Sequence, residues 1–136
     1  MEEFFYPYMK KVAAKIQKPW IFHSCGNINS ILDDLLALGM DGISNFEPGP
    51  MDIFQVKKDY GDKICIMGNI DLHHTLTTGT TEETELEVKE KIQRVGLGGG
   101  YILATSNGIA SYCKPENIAT MNKILLKYGK YPLNSN

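Results

Sequence analysis

The chain has 136 residues, 43% hydrophobic and 22% charged, with a formal net charge of −2. That is the composition of one soluble globular domain large enough to bury a core. The 14 basic residues are scattered rather than gathered into a stripe, which argues against nucleic-acid binding. No run approaches the roughly 20 apolar residues of a membrane span.

Three cysteines, Cys25, Cys65 and Cys113, make an odd and sparse set. This fits a reducing compartment better than a disulfide framework. The acidic start Met-Glu-Glu argues against a secretory signal, and a cytoplasmic protein is expected.

Residues 2 to 17 place Phe5, Met9, Val12 and Ile16 at helical spacing, with Tyr8 and Ala13 beside them; Pro19 stops the pattern. A strand from Trp20 to Phe22 follows, closed by His23-Ser24-Cys25-Gly26-Asn27. The next helix runs from about Ser30 to Leu38, with Gly39 as its C-terminal cap. Met40 to Phe46 reads as a second strand, ended by Glu47-Pro48-Gly49-Pro50, and a short helix covers about Met51 to Tyr60. Lys63 to Met67 is the third strand, followed by Gly68-Asn69-Ile70-Asp71.

After a polar loop, Thr80 and Glu83 have capping-box spacing. The helix they open runs to about Val95, with Leu86, Val88, Ile92 and Val95 as its expected buried positions. The fourth strand is Tyr101 to Ala104. Pro115 suits the first position of a last helix, which uses Ile118, Met121, Ile124, Leu125 and Tyr128 and ends at Gly129. Residues 1–131 form one domain in this reading, and 132–136 a loose tail. The glycine cluster at Gly96–Gly100 precedes a strand instead of following one, so it is no dinucleotide fingerprint.

The order is one helix followed by four βα units. Without hairpin signals, this alternation implies a parallel sheet. The pattern leaves two architectures open, a small open α/β sheet and half of an eight-stranded barrel, whose full form needs about 250 residues.

In parallel α/β folds, sites lie at the C-terminal ends of strands. His23 and Cys25 fall there, two positions apart on one side of an extended chain, and both are zinc-ligand types. A buried cysteine beside a backbone-bonded histidine is the plain alternative. Glu47 ends the next strand and adds a carboxylate. Asn69 and Asp71 after the third strand, and Ser106 and Asn107 after the fourth, can bind a polar substrate or simply form turns. His73 and His74 lie in a solvated loop. Cys65 reads as core and Cys113 as incidental.

Taken together, HSCGNI, GMDGISNFEP, IMGNID, GGGYILATSNGI, PENI and YGKY resemble the C-terminal half of the uroporphyrinogen decarboxylase superfamily. The nearer likeness is to its zinc-dependent corrinoid methyltransferases. The resemblance implies a TIM-barrel-type half barrel with strands five to eight. It also implies zinc held by His23, Cys25 and Glu47, a pocket lined by Asn69, Asp71, Ser106 and Asn107, and methyl transfer from a methylcorrinoid to a thiol. The implied partners are a corrinoid protein or a small-molecule thiol.

The sequence departs from that family pattern at Asn107. The methyltransferases carry a further cysteine ligand there and the decarboxylases a histidine, and Cys113 would be a displaced substitute. Two other readings stand beside the methyltransferase one: a metal-free, tetrapyrrole-binding decarboxylase relative, and a half-barrel that only assembles. Open sheet edges lead us to expect a homo-oligomer or pairing with an N-terminal half-barrel.

Overall fold

The computed structural model describes residues 3–133. Ten short elements alternate along the chain: α1 (Tyr6–Ala13), β1 (Ile21–His23), a 3-10 turn (Asn29–Ile31) running into α2 (Leu32–Ala37), β2 (Gly42–Ser44), α3 (Ile53–Tyr60), β3 (Cys65–Met67), α4 (Thr81–Arg94), β4 (Tyr101–Ile102) and α5 (Pro115–Tyr128). The four strands are all parallel and lie in the order β1-β2-β3-β4. A doubly wound sheet reverses its strand order at a switch point. Consecutive order without reversal is the arrangement of barrel staves, so the chain is an α/β half barrel of the TIM type.

Register follows the alternation of side chains. Ile21 pairs with Gly42 and Gly42 with Cys65, while His23, Ser44, Met67 and Ile102 form the next row. Phe22, Ile43 and Ile66 point to the other face, where Ile43 and Ile66 are buried among Leu32, Leu35, Ile53 and Val56 of α2 and α3. Full burial of each such aliphatic side chain contributes roughly 1.5–3 kcal/mol. A second cluster forms where α4 and α5 pack on Ile70, Leu72 and Leu76. The face carrying His23 is open, with Ile21 and Ile102 each 44% exposed.

Local signals place the helix ends. The capping box at Thr80 and Glu83 is present, and Pro115 occupies the first turn of α5. Gly39 takes a left-handed φ of 82° just past α2, a conformation that glycine adopts without steric cost.

Four expectations are corrected. The helix expected over residues 2 to 17 spans only Tyr6–Ala13 and buries no residue; Val12 and Ile16 are exposed, and Phe5 alone of its stripe packs on the core. Residue 2 lies outside the described residues. Leu86 is 68% exposed: it stands two residues, about 200°, from Val88, on the opposite side of α4. The buried face instead uses Thr84, Val88, Lys91 and Ile92. Cys65 is half-buried on the open face of β3. Tyr131 donates to the Gly96 carbonyl (2.8 Å) and Leu133 packs on the second cluster, so the chain remains docked to Leu133; residues 134–136 lie outside the described residues.

Candidate functional site

β1 delivers His23 to the sheet's C-terminal edge, and Gly26, with φ of 79°, turns the chain immediately afterwards. Because His23 and Ser44 are in register on adjacent parallel strands, their side chains leave the same face. They meet with His23 Nδ1 and Ser44 Oγ 2.8 Å apart. A ring nitrogen engaged in this way leaves Nε2 as the free ligand atom and fixes the plane of the imidazole.

Cys25 lies two residues further on and is exposed. Its Sγ accepts a hydrogen bond from Asn45 Nδ2 at 3.2 Å. Asn45 directly follows β2, is 5% exposed, and its backbone N–H donates to the Met67 carbonyl at 3.3 Å. Sequence reasoning passed over Asn45 and Ser44 because neither belongs to a recognisable ligand spacing. The available signal was their place at the end of a strand adjacent to His23.

His23, Ser44 and Asn45 open onto a cleft of about 220 Å³, lined also by Met67, Thr105 and Asn107 together with Ala104 and Gly108; Cys25 is not part of its lining. The lining mixes polar side chains with the apolar Met67 and Ala104 and holds no carboxylate, ammonium or guanidinium group. A volume of that order accommodates a small molecule. A larger depression, about 380 Å³, lies between α4 and α5 against Lys89, Lys127 and Tyr128, and contains none of the strand-end residues.

Of the polar residues singled out after the third and fourth strands, only Asn107 lines the cleft. Its Oδ1 accepts from its neighbour Gly108 N at 2.8 Å, and Thr105 Oγ1 donates to its carbonyl. Ser106 is 1% exposed and turned inward, its Oγ accepting from Leu72 N (3.3 Å) while its N–H donates to the Ile70 carbonyl (2.8 Å). It ties the two strand-end loops together. Asp71 Oδ1 accepts from the backbone of His73 (2.7 Å) and His74 (3.3 Å), closing an Asx-type turn. Asn69, 1% exposed, lines a separate depression with Met51, Phe54 and Lys91, and its Oδ1 has no hydrogen-bond partner among the described residues. Cys113 is buried in the second cluster.

Two of the electrostatically perturbed groups, Glu87 and Lys91, belong to α4. Burial pushes the Glu87 carboxyl above its ordinary range, although Thr75, Asp71 N–H and Lys91 pull the other way. Burial also holds Lys91 below the usual lysine value, against the attraction of Glu87, Glu90 and Asp52, and its ammonium sits 4.5 Å from the centre of the Phe54 ring. The Cys65 thiol is raised by burial, with Lys57 opposing.

The donors that the family resemblance implies for zinc are His23, with Nε2 left free by the Ser44 contact, and the exposed Cys25, two residues beyond it. Glu47 sits half-buried in the turn after β2, and among the described residues no three of His, Cys, Asp or Glu gather into a metal-holding group. The residues as folded do not assemble the three protein ligands that a catalytic zinc takes.

The family described as uroporphyrinogen decarboxylase (URO-D) matches residues 1–128 of the chain. A methylcobamide:CoM methyltransferase (MtaA) of Methanosarcina barkeri is 32% identical over 113 residues, covering 83% of this chain and 32% of the relative. A uroporphyrinogen decarboxylase of Chlorobaculum tepidum is 25% identical over 135 residues, covering 94% and 36%. Among solved structures, a methyltransferase from Methanosarcina mazei superposes with a TM-score of 0.76 at 25% identity, over 95% of this chain and 37% of its own. The chain spans about a third of the length of the curated relatives it matches. No helix of the described residues is long and apolar enough to cross a membrane.

Proposed function

From a chain that belongs to the uroporphyrinogen decarboxylase (URO-D) family, we propose that it forms part of a corrinoid-dependent methyltransferase and carries the thiol-activating wall of the active site. The observation that carries this reading is the pair His23 and Cys25, presented at one strand end with the imidazole already oriented by Ser44. The 32% identity to a methylcobamide:CoM methyltransferase supports it, and the modest, uncharged cleft suits a small thiol acceptor.

Zinc is the metal proposed, with His23 and Cys25 as its donors. Glu47, half-buried in the turn after β2, is the candidate third. When bound, zinc would stabilise the acceptor as thiolate. The chain's own residues do the rest. Ser44 fixes the imidazole plane, and Thr105 and Asn107 border the space in which a thiol sits. The methyl donor is proposed to be a methylcorrinoid, carried free or on a corrinoid protein, which leaves the open face of the sheet uncovered. That face, with Ile21 and Ile102 exposed, is proposed to pack against a second copy or a complementary half-barrel.

The test is the zinc content of the purified chain and of Cys25→Ser after dialysis against a weak chelator. About one zinc per chain, lost in the variant, is expected. Equal zinc in both proteins would refute Cys25 as a ligand. A second reading draws on the decarboxylase relatives, which match 94% of the chain: a metal-free protein that binds a tetrapyrrole. Tight porphyrin binding by zinc-free protein, unaffected by Cys25→Ser, would favour it.

A further inference from the structure

α4 buries a lysine where its helical spacing suits an aliphatic residue. Thr84, Val88, Lys91 and Ile92 form its inner face, and Lys91 is only 8% exposed. Lysine is almost never buried to that degree unless paired. None of the ion pairs among the described residues engages its ammonium. Glu87, Glu90 and Asp52 attract it, but burial outweighs them, and the Phe54 ring 4.5 Å away is no lone-pair acceptor for its N–H groups. Asn69 lines the same depression of about 320 Å³. It is 1% exposed, and its Oδ1 is an orphaned acceptor among the described residues. A buried polar group left in this state costs free energy, so each one needs a reason.

Asp52 is the third polar group of the lining. As N-cap of α3 it accepts through Oδ1 from Phe54 N (2.9 Å) and Gln55 N (3.3 Å), and it is exposed. Lys91 and Asp52 are the charged residues of this depression, one of each sign, and Pro48, Met51 and Phe54 add apolar wall. We infer that the depression binds a zwitterionic α-amino acid with an apolar side chain. Lys91 takes the carboxylate, Asn69 Oδ1 and Asp52 take the ammonium, and the apolar wall faces the side chain. An anion alone would satisfy Lys91 but leave Asn69 Oδ1 bare beside the Asp52 carboxylate; a cation alone would do the reverse. A hydroxy acid would reach Asn69 yet offer Asp52 no opposite charge. The depression shares no lining residue with the cleft at the strand ends, so the inference is independent of the zinc reading.

The experiment follows the backbone amides of the full chain by two-dimensional NMR during titration with L-leucine. Parallel titrations use 4-methylpentanoate, which lacks the ammonium, and isopentylamine, which lacks the carboxylate. L-Leucine should give saturable shifts centred on Phe54, Asn69 and Lys91. Its dissociation constant should be about 1 mM, the order that two or three charge-assisted hydrogen bonds leave after the cost of association. Each analogue should bind at least about tenfold more weakly, having lost one charged partner.

Lys91→Met removes the ammonium at nearly constant length and should weaken leucine binding by at least about tenfold. Asp52→Asn keeps an N-cap side chain; it should weaken leucine about tenfold while 4-methylpentanoate binds no more weakly than to the parent. Asn69→Leu should lose leucine binding at an unfolding midpoint no lower than the parent's, because its Oδ1 has no partner to lose. Three results would each overturn the inference: no saturable leucine shifts at those amides, 4-methylpentanoate binding as tightly as leucine, or shifts centred on Met67, Thr105 and Asn107 of the other cleft.

Discussion

Asn117 joins α5 to the loop that follows β3, and its removal should be costly. The residue is fully buried; its Nδ2 donates to the Thr75 carbonyl at 2.9 Å and to the Gly79 carbonyl at 3.0 Å. In Asn117→Ala both bonds are lost, at about 1 kcal/mol each. The two carbonyls then fare differently. Gly79 keeps the Lys114 ammonium at 2.9 Å, whereas Thr75 keeps only the Thr84 hydroxyl at 3.5 Å, the very limit of a hydrogen bond. Leaving that acceptor nearly bare adds about 1 kcal/mol. Part of this is returned, because Asn117 Oδ1 has no partner in the parent. The expected loss is about 2–3 kcal/mol, read as a lower urea midpoint at unchanged slope. Asn117→Asp should lose more, because it sets a carboxylate against two carbonyl oxygens. A loss below about 1 kcal/mol for Asn117→Ala would show that these bonds do not hold the loop, and the reasoning would fail.

Ser44→Ala removes the hydroxyl 2.8 Å from His23 Nδ1 and should weaken zinc binding by about 10–100-fold, as loss of an outer partner of a metal-ligating histidine does; competition with a chromophoric chelator measures it, and unchanged affinity would refute the orienting role. Thr80→Ala removes the acceptor for Glu83 N–H in the capping box and should cost about 1 kcal/mol in thermal unfolding. Glu87 supplies the pH prediction. Its folded carboxyl holds its proton above the ordinary value of 4.5, so the stability it lends is complete below that value and fades as pH rises through the raised one. Glu87→Gln should flatten this part of the profile of unfolding midpoint against pH, and an unaltered slope would count against the burial argument.

The sequence was most informative where a local interaction decides. The capping box at Thr80, the proline opening α5 and the glycine after α2 each act within a few residues, so they were legible without a fold. The alternation of short apolar runs with helical periods carried the parallel sheet, since antiparallel pairing would have needed hairpin turns that the chain lacks. For His23 and Cys25 the expectation of a common side rested on a spacing of two in an extended segment, whereas β1 ends at His23 and Cys25 lies beyond it. Leu86 was misplaced although the rule was available, because its hydrophobicity was read without the 100° step per residue that sends it to the solvent side.

What the sequence determined by itself, then, is the order of elements, their caps and which polar residues stand at the strand ends. Tertiary structure decided which polar side chains at the other strand ends turn toward the cleft. Asn45 enters it because one residue adopts φ of 72°. Ser106, Asp71 and Asn69 leave it because neighbouring loops, turns and packing claim them. A polar residue just past a strand has no period to obey: one backbone step or one hydrogen bond to another loop sets its direction, and both depend on partners distant in sequence.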